Sequence, residues 1–268
     1  MSLSRVPRTG EIRSIETTLD LLSMKAYIKD GVRVSLSKQK FTHWFPVYLG
    51  GEFQNEEKVL FLAEHSISML CENSTRKFEP LMVLQVLPKL LVTLVVEMMQ
   101  ESTHTSIQAL RVFVYFYRLF GLLLERYPEV RKELDQRIAL FKEDESNRVK
   151  DKCSSLGDLL TYSLISEKHS LNSILQEYLG ESLDRQVMWM LKDVPELGEV
   201  EGEKGEEKKE TFVDEKRDEV AFKTNIVSNR VLLFFFHFFN KISKEGSKVF
   251  PLLDSHFGQL HEQAEEEL

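Results

Sequence analysis

Residues 80–100 read PLMVLQVLPKLLVTLVVEMMQ, and this stretch decides the fold. It opens on Pro80, which suits the first turn of a helix because the amide it lacks has no intrahelical partner there. It is apolar nearly all round, the mark of a helix at the centre of a protein. Pro88 lacks the amide that would bond to residue 84, so a kink or division is expected there. Gln85, Pro88, Lys89 and Glu97 interrupt the apolar run, which therefore reads as a core helix rather than a bilayer span. The second most apolar run, Val231 to Phe239, has about half of the roughly 20 residues a membrane-crossing helix needs.

Working outward, helical spacing is nearly continuous. Val59, Leu60, Leu62, Ala63, Ile67 and Leu70 make one stripe on a helix from about Gln54 to Cys71. Ser106 to Tyr127 carries VFVYFYRLFGLLLERY and is closed by Pro128. Pro128 to about Lys150 has a single narrow stripe of Val130, Leu134, Ile138 and Phe141, so it reads as a surface helix with one buried face. Ser155 followed by Asp158 resembles a capping box opening a short helix to about Ile165. Leu171, Ile174, Leu175, Tyr178, Leu179, Leu183, Val187, Met190 and Leu191 mark a long helix ending before Pro195, with Gly180 a weak point.

The first fifty residues read differently. Ile12, Ile15, Leu19 and Leu22 are spaced for a short helix over Glu11 to Met24. KAYIKDGVRVSLS, Lys25 to Ser37, carries Asp30-Gly31, the dipeptide of a tight primed turn. A small β-hairpin over about residues 25–36 is expected, with Lys29 opposite Val32 and Tyr27 opposite Val34. FTHWFPVYLGG, Phe41 to Gly51, crowds Trp44, Phe45, Val47, Tyr48 and Leu49 around Pro46; it reads as an aromatic plug of the core or as an exposed docking loop.

EVEGEKGEEKKE, Glu199 to Glu210, has Val200 as its one apolar residue. It cannot bury enough surface to offset the entropy of ordering, so residues 199–210 are expected to form an acidic flexible linker or loop. Beyond it, NRVLLFFFHFFNKI must bury itself. The C-terminal helices of 211–268, including a short one over about Leu252 to Glu265, are expected to pack back on the helical domain of residues 1–198. The fold class is thus mainly α: a multi-helix globular bundle with a small N-terminal hairpin.

Charge and cysteine content narrow the chemistry. The 268 residues hold 35 Lys plus Arg against 43 Asp plus Glu, a net charge of -8, which argues against condensation onto nucleic acid. Cys71 and Cys153 stand far apart without a secretory leader, so neither a disulfide framework nor a zinc cluster is indicated. A reducing intracellular setting, cytoplasmic or nuclear, fits. The seven histidines never fall at i, i+4 and no HExxH, P-loop or dinucleotide fingerprint occurs; no catalytic residue, metal or cofactor is assigned. His237, inside FFFHFF, reads as a core histidine. Cys71 ends an apolar stripe and reads as an inert thiol, whereas Cys153 sits beside Lys150 and Lys152, where positive charge would favour a thiolate.

Several phrases taken together resemble a known region. FTHWFPVYL, FEPLMVLQVLPKLLVTLVVEMM, LLERYPEV, LFKEDESNRVKDKCSSLGDLL and ESLDRQVMWMLKDVPELG are similar, as an ordered set, to the helical accessory region found beside ubiquitin-conjugating core domains in large multidomain eukaryotic proteins. The resemblance spans about Gly10 to Gly198 and continues around Arg230 to Ile242. It implies a ubiquitin-pathway context without the activity, since the chain lacks the His-Pro-Asn tripeptide that precedes the catalytic cysteine of that enzyme family. Three functions stay open: a non-catalytic interaction or scaffolding module whose partner is a protein, with ubiquitin or a ubiquitin-conjugating domain in view; a conjugating-type enzyme using a cysteine thioester; and a carrier of an apolar ligand between the aromatic helices. For the first, the contact residues expected are Trp44, Phe45 and Tyr48 in one patch and Asp184 and Trp189 in another. Arg148 and Arg185 are polar residues within the resembling phrases, for which helix-surface ion pairing is the competing role.

Overall fold

The computed structural model describes residues 2–5, 12–16, 30–34, 40, 56–71, 77–100, 107–149, 152–153, 155–195 and 210–245. The described chain is mainly helical, with seven α-helices: α1 (Glu56–Leu70), α2 (Val83–Gln100), α3 (Ile107–Arg126), α4 (Pro128–Glu143), α5 (Leu156–Ile165), α6 (Leu171–Asp193) and α7 (Glu210–Glu245). Strands β1 (Ser2–Arg5) and β2 (Ile12–Glu16) pair antiparallel, Leu3 opposite Ile15, with an irregularity between Ser4 and Arg5. The helix expected over Glu11 to Met24 is therefore not formed at its start. Ile12 and Ile15 fit a helical stripe over so few residues, but β-branched side chains favour extended backbone once a partner strand is present.

Most of the expected hairpin over residues 25–36 lies outside the described residues. Within it, Gly31 has φ of 63°, the left-handed conformation the Asp-Gly dipeptide favours. Val34 forms an antiparallel bridge with Lys40, and its expected partner Tyr27 lies outside the described residues.

α2 is the hub, packed by α3, α5 and α7. Its lead-in, Pro80–Met82, is a 3-10 turn, and the helix runs through Pro88 without dividing. Val83, Val86, Leu87, Leu90, Leu91, Leu94 and Val95 are fully or almost fully buried. Gln85, Lys89, Thr93 and Glu97, spaced four apart, keep partial exposure along one narrow line. Among the described residues the helix Pro80–Met99 is long and apolar enough to cross a membrane by length and composition, with mean hydropathy 1.9, yet 61% of that window is buried within the bundle. α5 approaches α2 closely: a Cβ on Gly157 would lie 2.6 Å from Val92 Cγ1, so glycine is what lets the two helices meet.

α3 and α7 meet through aromatic rings. Phe113 stands edge-on to Phe234 at 5.0 Å and to Phe238 at 5.1 Å between centroids, and Tyr117 stands edge-on to Phe238 at 5.4 Å. Such pairs contribute about 0.5–1.5 kcal/mol each beyond area burial. Tyr117 also donates its hydroxyl proton to the Leu164 carbonyl of α5 at 3.1 Å, and burial pushes its pKa up to about 12. Phe113 and Tyr117 of α3 thus pack among Phe234, Phe235 and Phe238 of α7 where these two segments meet. His237 corrects its expectation: Phe235 and Phe238, three apart, face the core, so His237 falls on the exposed side of α7.

α4 ends at Glu143, short of the expected Lys150. Asp144 adopts an extended backbone and its carboxylate accepts from the Ser146 amide and hydroxyl, both at 2.8 Å, which turns the chain out of the helix. The linker core and the helix expected over Leu252 to Glu265 lie outside the described residues.

Candidate functional site

The expected contact residues divide three ways. Trp44, Phe45 and Tyr48 lie outside the described residues. Arg148 and Arg185 are internal clamps. Asp184 and Trp189 stand exposed on α6.

Arg148 caps the end of α4. Its Nε donates to the Phe141 carbonyl at 3.0 Å and its guanidinium lies 5.5 Å from the centre of the Phe141 ring. These carbonyls have no intrahelical partner, and a cation at a helix C-terminus also meets the favourable end of the dipole. Arg185 spans from α6 back to the connection before α5. One of its terminal nitrogens donates to the carbonyls of Arg148 and Cys153, each at 2.7 Å, while Nε pairs with Glu181 at 2.6 Å. The ion pair is of the helix-surface kind weighed from the sequence; the two carbonyl contacts were not legible there, because they depend on where a distant segment passes.

A second staple escaped the sequence reading. Asp135 of α4 is buried and accepts from the Ser166 hydroxyl at 2.7 Å, while Ser166 Oγ accepts from the amides of Lys168 and His169. Lys168 Nζ also approaches Asp135 at 3.5 Å. The signal available was an acidic residue on the otherwise apolar face of α4.

The two thiols differ in burial, Cys71 buried and Cys153 half-buried. Burial pushes Cys153 up to about 11, outweighing the Arg185 charge that pulls it down, so the expectation of a thiolate favoured by neighbouring lysines is corrected. Cys71 is buried and contacts Gln85 Oε1 at 3.6 Å. Among the described residues no group of three or more His, Cys, Asp or Glu is gathered to hold a metal ion.

What the structure does expose is a set of apolar side chains on the second half of α6, Leu183 and Val187 sharing one side and Met188 and Trp189 stepping away from it round the helix. Leu183 is 60% exposed, Val187 51%, Met188 65% and Trp189 42%. The sequence placed Leu183 and Val187 in the buried stripe of this helix; they are exposed because each stands nine residues, two and a half turns, beyond Ile174 and Tyr178 and so on the opposite side of α6. Beyond Tyr178 its inward contacts become polar: Gln186 donates to Ser182 Oγ at 3.3 Å and Asn229 Oδ1 at 3.4 Å, and Asn225 donates to Met190 Sδ at 3.6 Å. On the adjoining α7, Phe222 and Leu233 are exposed too. An open groove of about 780 Å³ follows, lined by Leu233, Phe236, His237 and Asn240 of α7 and by Ser170 and Asn172 at the start of α6. Isolated exposed hydrophobic residues are ordinary, but contiguous ones on one helix mark contact surfaces.

Comparison with protein-family models, with curated proteins and with solved structures finds no match.

Proposed function

We propose that this chain is a non-catalytic protein-interaction or scaffolding module of the ubiquitin-conjugation pathway, working inside the cell. Its contact surface is the Leu183 and Val187 side of α6, with ubiquitin or a ubiquitin-conjugating domain as partner. The observation that carries this reading is the exposure of these two apolar side chains, one turn apart on one side of the helix. Leu and Val side chains held on a helix are partly ordered before a partner arrives, so docking costs less side-chain entropy than ordering a loop. The pathway rests on the resemblance of the ordered phrases alone. The half-buried thiol of Cys153, its pKa pushed up, and the buried Cys71 favour a module over a thioester-forming enzyme.

The test is an NMR titration of isotope-labelled ubiquitin, free and conjugated to a conjugating enzyme, with the full chain. Localised, saturable shifts are expected. Absence of shifts at high concentration overturns the ubiquitin assignment, and labelling of Cys153 by an activated ubiquitin thioester overturns the non-catalytic one.

A further inference from the structure

Asp158 lies in the first turn of α5, where the Ser155 hydroxyl accepts from its amide at 3.2 Å. Its carboxyl turns inward between α2 and α4. Oδ1 is out of reach of solvent and has no hydrogen-bond partner. Lys89 faces it from α2 and Arg137 from α4, but neither forms an ion pair with it; Arg137 instead binds Glu133 at 2.9 Å and the Tyr162 hydroxyl at 3.4 Å. Cys153 stands nearby on the incoming connection. Tyr162, one turn on, also faces it and shares Arg137, and Arg185 of α6, which faces Cys153, is engaged with Glu181.

We propose that the first turn of α5 is a proton-linked latch, seated between α2 and α4 when Asp158 takes up a proton and loosened when it is ionised. A carboxylate with one oxygen shut off from solvent and unpartnered, offset by the Ser155 hydroxyl but by no ion pair, is costly, whereas the neutral acid lacks the charge that must be solvated. Ionisation therefore favours any opening that lets water reach the carboxyl. The Ser155 cap and the Gly157 contact with Val92 occupy the same turn, so loosening it releases the tightest approach of α5 to α2.

The acid is pushed up to about 6 by burial, with Lys89, the Ser155 hydroxyl and Arg137 only partly offsetting this. A raised acid contributes stability that is complete below its unfolded value and is lost as pH rises through about 6. Hydrogen exchange of the α5 amides, corrected for intrinsic rates, reads the opening directly. The opening equilibrium of the first turn is expected to rise roughly tenfold between about pH 5 and pH 7.5 in the wild-type chain, and Asp158→Asn is expected to abolish that rise. Should the variant fail to fold, the carboxyl-carbon shift of Asp158 in labelled wild-type protein gives the titration itself, with a midpoint near 6 expected. An opening equilibrium that is the same at both pH values, a rise that persists in Asp158→Asn, or a midpoint in the ordinary aspartate range overturns the latch.

Discussion

The two halves of α6 carry similar apolar patterning and meet opposite fates. In the first, Leu171, Ile174 and Tyr178 are buried in the bundle; in the second, Leu183, Val187 and Met188 face outward. α6 runs unbroken through Gly180, so Leu183 and Val187, nine residues or two and a half turns beyond Ile174 and Tyr178, stand on the opposite side of the helix. The inward positions pass instead to Arg185 and Gln186. The first half has the core beneath it, while the second has α7 on one flank through Gln186 and Asn225, and Arg185 reaching toward the connection before α5 on another. Apolar spacing in three- and four-residue steps drifts round a helix over several turns, so a long stripe does not keep all its members on one side.

Mutations sharpen that contrast. Ile174→Ala, at a fully buried position, is expected to cost about 3 kcal/mol by chemical denaturation, from lost transfer energy and an unfilled cavity. Arg185→Ala is expected to cost about 2 kcal/mol by the same measurement, since it strips the Arg148 and Cys153 carbonyls of a shared donor and leaves Glu181 unpaired. Arg185→Lys recovers only part of this, because an ammonium does not reproduce the planar fork. Leu183→Ala is expected to change stability by no more than about 0.5 kcal/mol. An equal loss at Ile174 and Leu183 would break the comparison, showing that the second half is covered as fully as the first.

The same contrast shows what the sequence made legible. The mainly helical fold was readable because α1 to α6 carry long, periodic or near-continuously apolar segments, and Ser155 with Asp158 marked the start of α5 correctly. Short segments misled: Ile12 and Ile15 fit a helix and form part of a strand. The FFFHFF run was recognised as needing burial, but its composition concealed that His237 takes the outward position. At the candidate site, Asp184 and Trp189 were flagged and are exposed, whereas Arg148 and Arg185 turned out to hold backbone carbonyls from other segments. Such contacts depend on tertiary positions that no local spacing encodes.

The most direct test of the account compares the wild-type chain with a Leu183→Asp, Val187→Asp double variant in the titration of labelled ubiquitin. Charges placed on an already exposed face should leave the fold intact, which the melting temperature checks, while disrupting an apolar contact. The account predicts saturable shifts with the wild type and affinity at least about tenfold weaker with the variant, at a melting temperature within a few degrees of the wild type. Equal affinity for both chains, or no shifts with the wild type, would contradict it.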